Sequence, residues 1–334
     1  MRAAVLSGHD LRELAVTDTA LPEPGPGEVV VKVETVGVNQ LDLNVIAGVG
    51  PGARAALPRI LGIDPAGVIV DVGEGVDVAR IGEPVAVKPN IPCGSCAACA
   101  IGAEEDCPRQ SVVGVHRDGG AAEFVTVPAT SAFARPGLDA AQATAVMHSA
   151  AIVLNAVEET GVAPGDRMLV MGAGGTLGRA AVAIGLHRSA RVTAASRRPL
   201  DAIGSERIVT APDNSALEAA LAHEEPFDAL VDVTGHAPTL GVGIATLGWG
   251  GRAVFCSASV DPDLRIDARD FYLRRKRLSG VASAGYRHVR EALELAASGV
   301  IPDLVGDRYP LDDIVRAYTA FPTKKNGKVI IDVR

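Results

Sequence analysis

Four of the five cysteines fall between residues 91 and 110, in the stretch IPCGSCAACAIGAEEDCPRQ. Cys93, Cys96, Cys99 and Cys107 follow a C-x2-C-x2-C-x7-C spacing. Four thiolates close a tetrahedral shell around zinc and leave no position open for water or substrate, so this spacing points to one structural zinc and not to a catalytic one. An iron–sulfur cluster is the alternative for clustered thiols, but no redox partner motif lies near it in sequence. The metal therefore staples a loop, and the chemistry must come from elsewhere.

A second candidate for chemistry is LVMGAGGTLGRAAVAIG, which reads as an apolar strand, a glycine-rich turn and a helix. Glycines let the backbone approach a pyrophosphate, and the helix N-terminus offers free N–H groups and a positive dipole end. Aligned on Gly175 and Gly178, the first glycine of a G-x-G-x-x-G fingerprint is replaced by Ala173. A purely structural strand–helix turn is the competing reading. The next strand, VTAASRRP, ends in Ser196, Arg197 and Arg198, where an NAD-binding site carries an acidic residue. A hydroxyl and two guanidiniums suit the 2′-phosphate of NADP(H). The alternative is a solvated surface pair of arginines.

These residues must be positioned by two kinds of element. Up to about residue 130 the chain is punctuated by Gly and Pro, and short Val-rich runs at 28–38, 66–73, 84–89 and 122–128 read as strands. Two Ala-rich helical stretches follow, at 139–147 and 149–160. Strands at 191–196, 207–211, 227–235, 251–259 and 277–283 then alternate with helical spacing, which predicts a doubly wound parallel α/β sheet. The expected division is 1–130 for a β-rich domain bearing the 91–110 lobe, 131–283 for a Rossmann domain, and 284–334 for a C-terminal segment that completes the first.

The composition narrows the partners. A net charge of −8 and an aromatic fraction of 3% offer nothing to a nucleic acid. No run reads as the roughly 20 apolar residues of a membrane span, and the N-terminus lacks a secretory pattern. Clustered cysteines with Cys256 standing apart fit a reduced, cytoplasmic protein better than a disulfide framework.

Taken together, PGPGEVVVKVETVGVNQLD, PRILGIDPAGVIVDVGEGV, the four-cysteine lobe, GVHRDGGAAEFVTVP, the glycine loop, VDVTG and GKVIIDV resemble the medium-chain dehydrogenase/reductase superfamily nearly end to end. The resemblance implies a GroES-like catalytic domain, a Rossmann domain, an active site in the cleft between them, and a homodimer or tetramer. It also implies cofactor contacts from Gly174, Gly175, Thr176 and Leu177, from Ser196, Arg197 and Arg198, and from Thr234, Cys256 and Ser257 at later strand ends. Zinc alcohol dehydrogenases of this superfamily hold a second, catalytic zinc. The matching positions here are Asn39, Ile63, Asp64 and His148, and a carboxamide is a poor zinc ligand. Their proton-relay positions fall at Leu41 and Asn44, so the relay is absent too.

What remains resembles the quinone-oxidoreductase branch, which uses NADPH without catalytic metal, although the tyrosine that often follows its aspartate motif is replaced and a linking-helix threonine is Ile152 here. Without a Lewis acid, a quinone or α,β-unsaturated carbonyl is a better acceptor than a simple ketone. Asn39 is the expected hydrogen-bond donor to a carbonyl or cofactor, or else a backbone cap. His148, with an ordinary pKa near 6.5, is the expected proton donor, or else a filler of the vacated metal cavity. Asp64 is expected to orient His148 or to replace a metal ligand, or else to bind backbone amides, and Asp42 to anchor the site from behind. Val49, Leu57, Trp249 and Phe271 are candidates for an aliphatic pocket wall. The alternatives to a quinone or enone reductase are a carbonyl reductase or alcohol dehydrogenase that is zinc-independent or uses an atypical metal, and a non-catalytic NADPH-binding structural or regulatory protein.

Overall fold

The computed structural model describes residues 1–201, 203–323 and 327–333. The chain forms two compact units. One comprises Met1–His148, Gly285–Ala297 and Asp303–Arg334, and the other comprises Ser149–Ala284 and Ser298–Pro302.

The first unit is built on the strand Glu28–Gly37. It pairs antiparallel with Pro65–Val72, with Phe124–Pro128 and with the last strand, Lys328–Asp332. Val29, Val31 and Val33 recur at the two-residue strand period, and all three enter a core shared with Ile69, Val85, Val125 and Ile331. Register places Ile330 opposite Gly37 and Ile331 opposite Val36, with Val38 N–H donating to the Val329 carbonyl at 2.9 Å. That register delivers Lys328 to the end of the central strand, where Asn39 begins the helix Gln40–Ala47. The same unit holds a smaller sheet of Leu14–Asp18, Arg2–Leu6 and Arg59–Ile60.

The expected boundary at residue 130 is corrected to His148. Ala132–Ala134 extends the first unit's sheet by pairing with Pro84–Val87. Arg135 reaches Glu34 at 2.6 Å, and the Thr144 hydroxyl of the helix Ala140–Met147 lies 2.9 Å from that of Thr35 on the central strand. These contacts are long-range in sequence, so the change of rhythm near 139 marks a change of element and not of unit.

The second unit is an all-parallel sheet in the order Arg207–Thr210, Arg191–Ser196, Arg167–Met171, Phe227–Asp232, Leu247–Phe255, Arg277–Gly280. In chain order this is 3-2-1-4-5-6, the doubly wound arrangement, with its switch point between the first and fourth strands. Leu169, Met171, Phe227, Leu230 and Ile244 form its core. The candidate pocket wall dissolves in this architecture. Leu57 packs on the first core and Phe271 on the second, while Trp249 and Val49 are exposed. One helical run, Ala140–Glu159, does match a membrane span by length and mean hydropathy (1.3), contrary to the reading from sequence; 83% of its apolar window is buried, as in a core helix.

Candidate functional site

At the switch point of the parallel sheet, the strand Arg167–Met171 ends in Gly172, whose φ of +85° favours glycine. The turn runs to Gly175, and the helix Thr176–His187 starts there. Gly178 is the position that admits no side chain, because a Cβ on it would lie 2.1 Å from the Gly172 carbonyl oxygen. This is the close strand–helix packing required of the third fingerprint glycine. A Cβ on Gly172 would meet Val233 and Thr234 at 3.2 Å, so the first and fourth loops face each other as a nucleotide crevice requires. Gly172 went unnoticed in the sequence because the fingerprint counts from position 173.

The remaining candidate cofactor residues of this unit border the same loops. A Cβ on Gly174 would lie 3.1 Å from Ser196 Oγ, which joins the glycine loop to the end of the second strand. Ser196 Oγ accepts from Arg198 N–H at 3.2 Å, and Arg197 and Arg198 are exposed. Thr234 donates from both its N–H (3.1 Å) and its hydroxyl (3.0 Å) to buried Asp232. Burial pushes the Asp232 pKa up to about 7. Cys256 N–H donates to the Asp232 carbonyl at 3.0 Å, and burial, with the Asp232 charge behind it, pushes the thiol up to about 12. The Cys256 thiol is thus held in its protonated form. Ser257 Oγ shares a hydrogen with Ser259 Oγ at 2.8 Å.

In the first unit, Asn90–Ile91 and Ser111–Val112 pair to close the base of the cysteine lobe. The sulfurs of Cys93, Cys96, Cys99 and Cys107 all lie within 4.8 Å of one another, and none is in a disulfide. Cys107 Sγ accepts from Cys93 N–H at 3.3 Å and Cys96 Sγ from Cys99 N–H at 3.5 Å. Backbone donation from Ser95 helps hold the Cys93 thiol down to about 5. Convergent sulfurs with amide donors fit a tetrathiolate zinc.

The other cluster brings Asn39 and Asp64 together, with a residue that the sequence did not single out. Asp64 Oδ1 accepts from Gly37 N–H at 3.0 Å; its Oδ2 accepts from Asn39 Nδ2 at 3.1 Å and pairs with Lys328 Nζ at 2.7 Å. Asn39 Nδ2 also donates to the Gly37 carbonyl at 3.2 Å, and Asn39 Oδ1 accepts from Lys328 Nζ. Asp64 is fully buried and Lys328 is 4% exposed. Burial pushes the Asp64 carboxyl up, opposed first by the Lys328 charge. With three donors aimed at it, we assign it as ionised.

Asn39 is therefore corrected. Its amide hydrogens are committed within the protein, so it is not the donor to a substrate carbonyl. Asp64, expected to orient His148 or else to bind backbone amides, bonds among the described residues to the Gly37 amide, Asn39 and Lys328, and not to His148. Asp42 accepts from Asn39 N–H at 2.8 Å and Gly62 N–H at 3.2 Å. Burial and then the Asp64 charge push it up to about 7. Beside both carboxylates lies Tyr318, fully buried, with a hydroxyl that has no hydrogen-bond partner among the described residues.

His148 remains partly exposed and makes no hydrogen bond among the described residues. Desolvation, then the charges of Lys328 and Lys88, push it down to about 3. Both effects disfavour the charged form that the expected proton donor would need. The donor set does not fit a catalytic zinc. Asn39 and Ile63 stand at two ligand positions without a metal-seeking atom, and the carboxylate of the third is held by an ammonium.

Residues 25–137 match the alcohol dehydrogenase GroES-like domain family. Over 328 residues the chain is 32% identical to D-altritol 5-dehydrogenase of Agrobacterium fabrum, covering 94% of this chain and 93% of that one. Over 340 residues it is 30% identical to acryloyl-coenzyme A reductase of Metallosphaera sedula, covering 99% of each. The structure of a thermostable alcohol dehydrogenase from Pyrobaculum aerophilum superimposes with a TM-score of 0.91 at 30% identity, covering 100% of this chain and 99% of that one. With a GroES-like catalytic unit and a six-stranded Rossmann unit, the chain belongs to the medium-chain dehydrogenase/reductase superfamily of oxidoreductases.

Proposed function

We propose that this protein is an NADPH-dependent reductase of α,β-unsaturated carbonyl compounds or quinones that works without catalytic metal. The observation that carries the reading is the Asn39–Asp64–Lys328 network, which turns the superfamily's metal-ligand positions into a closed, self-satisfied ion pair. Bound NADPH supplies the hydride. On hydride addition to the β-carbon of an enone, electron density moves to the carbonyl oxygen, and a hydrogen-bond donor is enough to stabilise it there. Neutral His148 offers one such N–H, and water supplies the proton that ends on the α-carbon. Burial, and then the positive charges of Lys328 and Lys88, disfavour protonation of this imidazole. Ser196, Arg197 and Arg198 are the residues for the 2′-phosphate, and the four-cysteine lobe holds a structural zinc.

The acryloyl-coenzyme A reductase relative supports conjugate reduction. The D-altritol dehydrogenase and alcohol dehydrogenase relatives favour a second reading, zinc-independent oxidation of an alcohol or polyol. Oxidation of NADPH and of NADH against enones, enoyl thioesters and quinones tests the first. Absence of turnover across that panel, together with alcohol oxidation that a chelator abolishes, overturns it. We further propose a cytoplasmic homodimer that uses the edge strand Arg277–Gly280, near which Trp249, Tyr272 and Leu273 expose large apolar side chains.

A further inference from the structure

The chain leaves the first unit after His148 and first re-enters it at Gly285, before Ser298–Pro302 return to the second. The residues at the point of re-entry rest on the cysteine lobe. Tyr286 N–H, at the start of the helix Tyr286–Ala297, donates to Glu104 Oε2 at 3.2 Å. Glu105 lies against Gly285 so closely that a Cβ there would sit 2.3 Å from its Oε2, an oxygen that is buried without a hydrogen-bond partner among the described residues. Arg287 approaches Glu105 at 3.9 Å. The Tyr286 ring packs edge-on against Phe133 at 5.5 Å, and buried Lys88 lies 5.7 Å from its centre.

Both glutamates belong to the turn Glu104–Asp106, which feeds directly into Cys107. Cys107 N–H donates to the Glu104 carbonyl at 3.3 Å, and Gln110 Nε2 donates to the carbonyls of Glu104 (3.0 Å) and Glu105 (2.9 Å). The position of the two carboxylates is therefore set by how the sulfurs are gathered. A staple needed only to tidy its own loop has no use for two partly buried acids facing another segment, because desolvating a carboxylate is unfavourable unless it is spent on a contact. Here Glu104 takes the Tyr286 N–H at the start of a returning helix, where negative charge is favoured, and Glu105 lies against Gly285 with Arg287 nearby.

We propose that the cysteine lobe is the clamp that fixes the chain's re-entry point, with Glu104 and Glu105 as positioning residues that transmit metal-held order to Gly285 and Tyr286. This rests on the structural-zinc reading, and the two are separated by measuring zinc content first. Amide hydrogen exchange is then followed in the full chain as isolated, after chelation under reducing conditions, and in the zinc-loaded E104Q/E105Q and G285A variants.

In the metal-free chain and in both variants, protection at 285–290 falls about tenfold, as expected when the charged acceptor of the Tyr286 N–H is displaced or replaced by a neutral one. Zinc content stays at one per chain in the variants, and exchange in the strands Arg167–Met171 and Phe227–Asp232 is unchanged. If chelation unfolds the first unit as a whole, the zinc-loaded variants decide the question. Zinc-loaded E104Q/E105Q with wild-type protection at 285–290 overturns the clamp. A wild-type chain that binds no zinc overturns the metal reading itself.

Discussion

At the residue scale, Lys328 is the side chain on which the proposed chemistry depends. Its ammonium and the Asp64 carboxylate are both buried, so removing one leaves the other uncompensated. Replacing Lys328 with Met should cost about 3–5 kcal/mol in urea unfolding, and the K328M/D64N pair should recover much of that loss. His148 gives a prediction of a different kind. Its pKa is depressed to about 3, below the ordinary 6.5, so the folded state takes up fewer protons than the unfolded chain between those values. Its share of stability is intact above pH 6.5 and is lost as pH falls toward 3. Asp42, raised to about 7, works in the opposite sense, favouring the fold at low pH and losing that contribution as pH rises through 7. H148Q should therefore remove a rising slope of stability with pH, and D42N a falling one. In kinetics, kcat/KM should show no inflection near 6.5 that H148Q abolishes. H148Q, which keeps an N–H donor, should stay within about tenfold of wild type, whereas H148A should lose roughly a hundredfold.

At the element scale, the strand–turn–helix Arg167–His187 was legible because everything that defines it is local. An apolar run, glycines at fixed offsets and helical spacing all sit within one stretch, and their partners are one another. The same locality made the cysteine lobe readable. Lys328 was not readable as a site residue, because its meaning lies in the pairing of Lys328–Asp332 with Glu28–Gly37 at the far end of the sequence. The only trace was a lysine opening an apolar strand, GKVIID, which any surface residue could explain. Ala132–Ala134 was missed for the same reason, since three residues gain their identity only against Pro84–Val87. In the glycine turn, an added methyl at 178 would collide with the Gly172 carbonyl and with Ala173 Cα at 2.5 Å. G178A should destabilise the fold by about 1–3 kcal/mol, the usual range for forced overpacking. It should also weaken NADPH binding by equilibrium dialysis, because relief of the clash moves the turn amides proposed to face the pyrophosphate. Undiminished affinity in a folded G178A chain would remove this turn from the nucleotide site. R197A/R198A should raise the Kd for NADPH about tenfold and leave that for NADH unchanged, as expected for charge-assisted bonds to a 2′-phosphate.

At the scale of the whole molecule, the two units carry separate cores, one rich in Val on antiparallel strands and one under parallel strands. Each has its own proposed ligand, zinc for the first and dinucleotide for the second. A ligand stabilises only what must be folded to bind it, by about 2.7 kcal/mol at a free concentration of a hundred times Kd. If the units unfold as separate cooperative blocks, NADPH should delay loss of the strands 167–171, 191–196 and 227–232, and leave the cysteine lobe's lability to chelator unchanged. Zinc removal should do the reverse. Pulse-labelled hydrogen exchange through a thermal ramp, read separately over residues 28–37 and 167–171, distinguishes this from a single transition. A common midpoint that moves equally with either ligand would mean that the chain unfolds as one block, with the re-entry segment at Gly285 coupling the units. In that case G285A, which presses a methyl against Glu105, should lower the shared midpoint and separate the two responses.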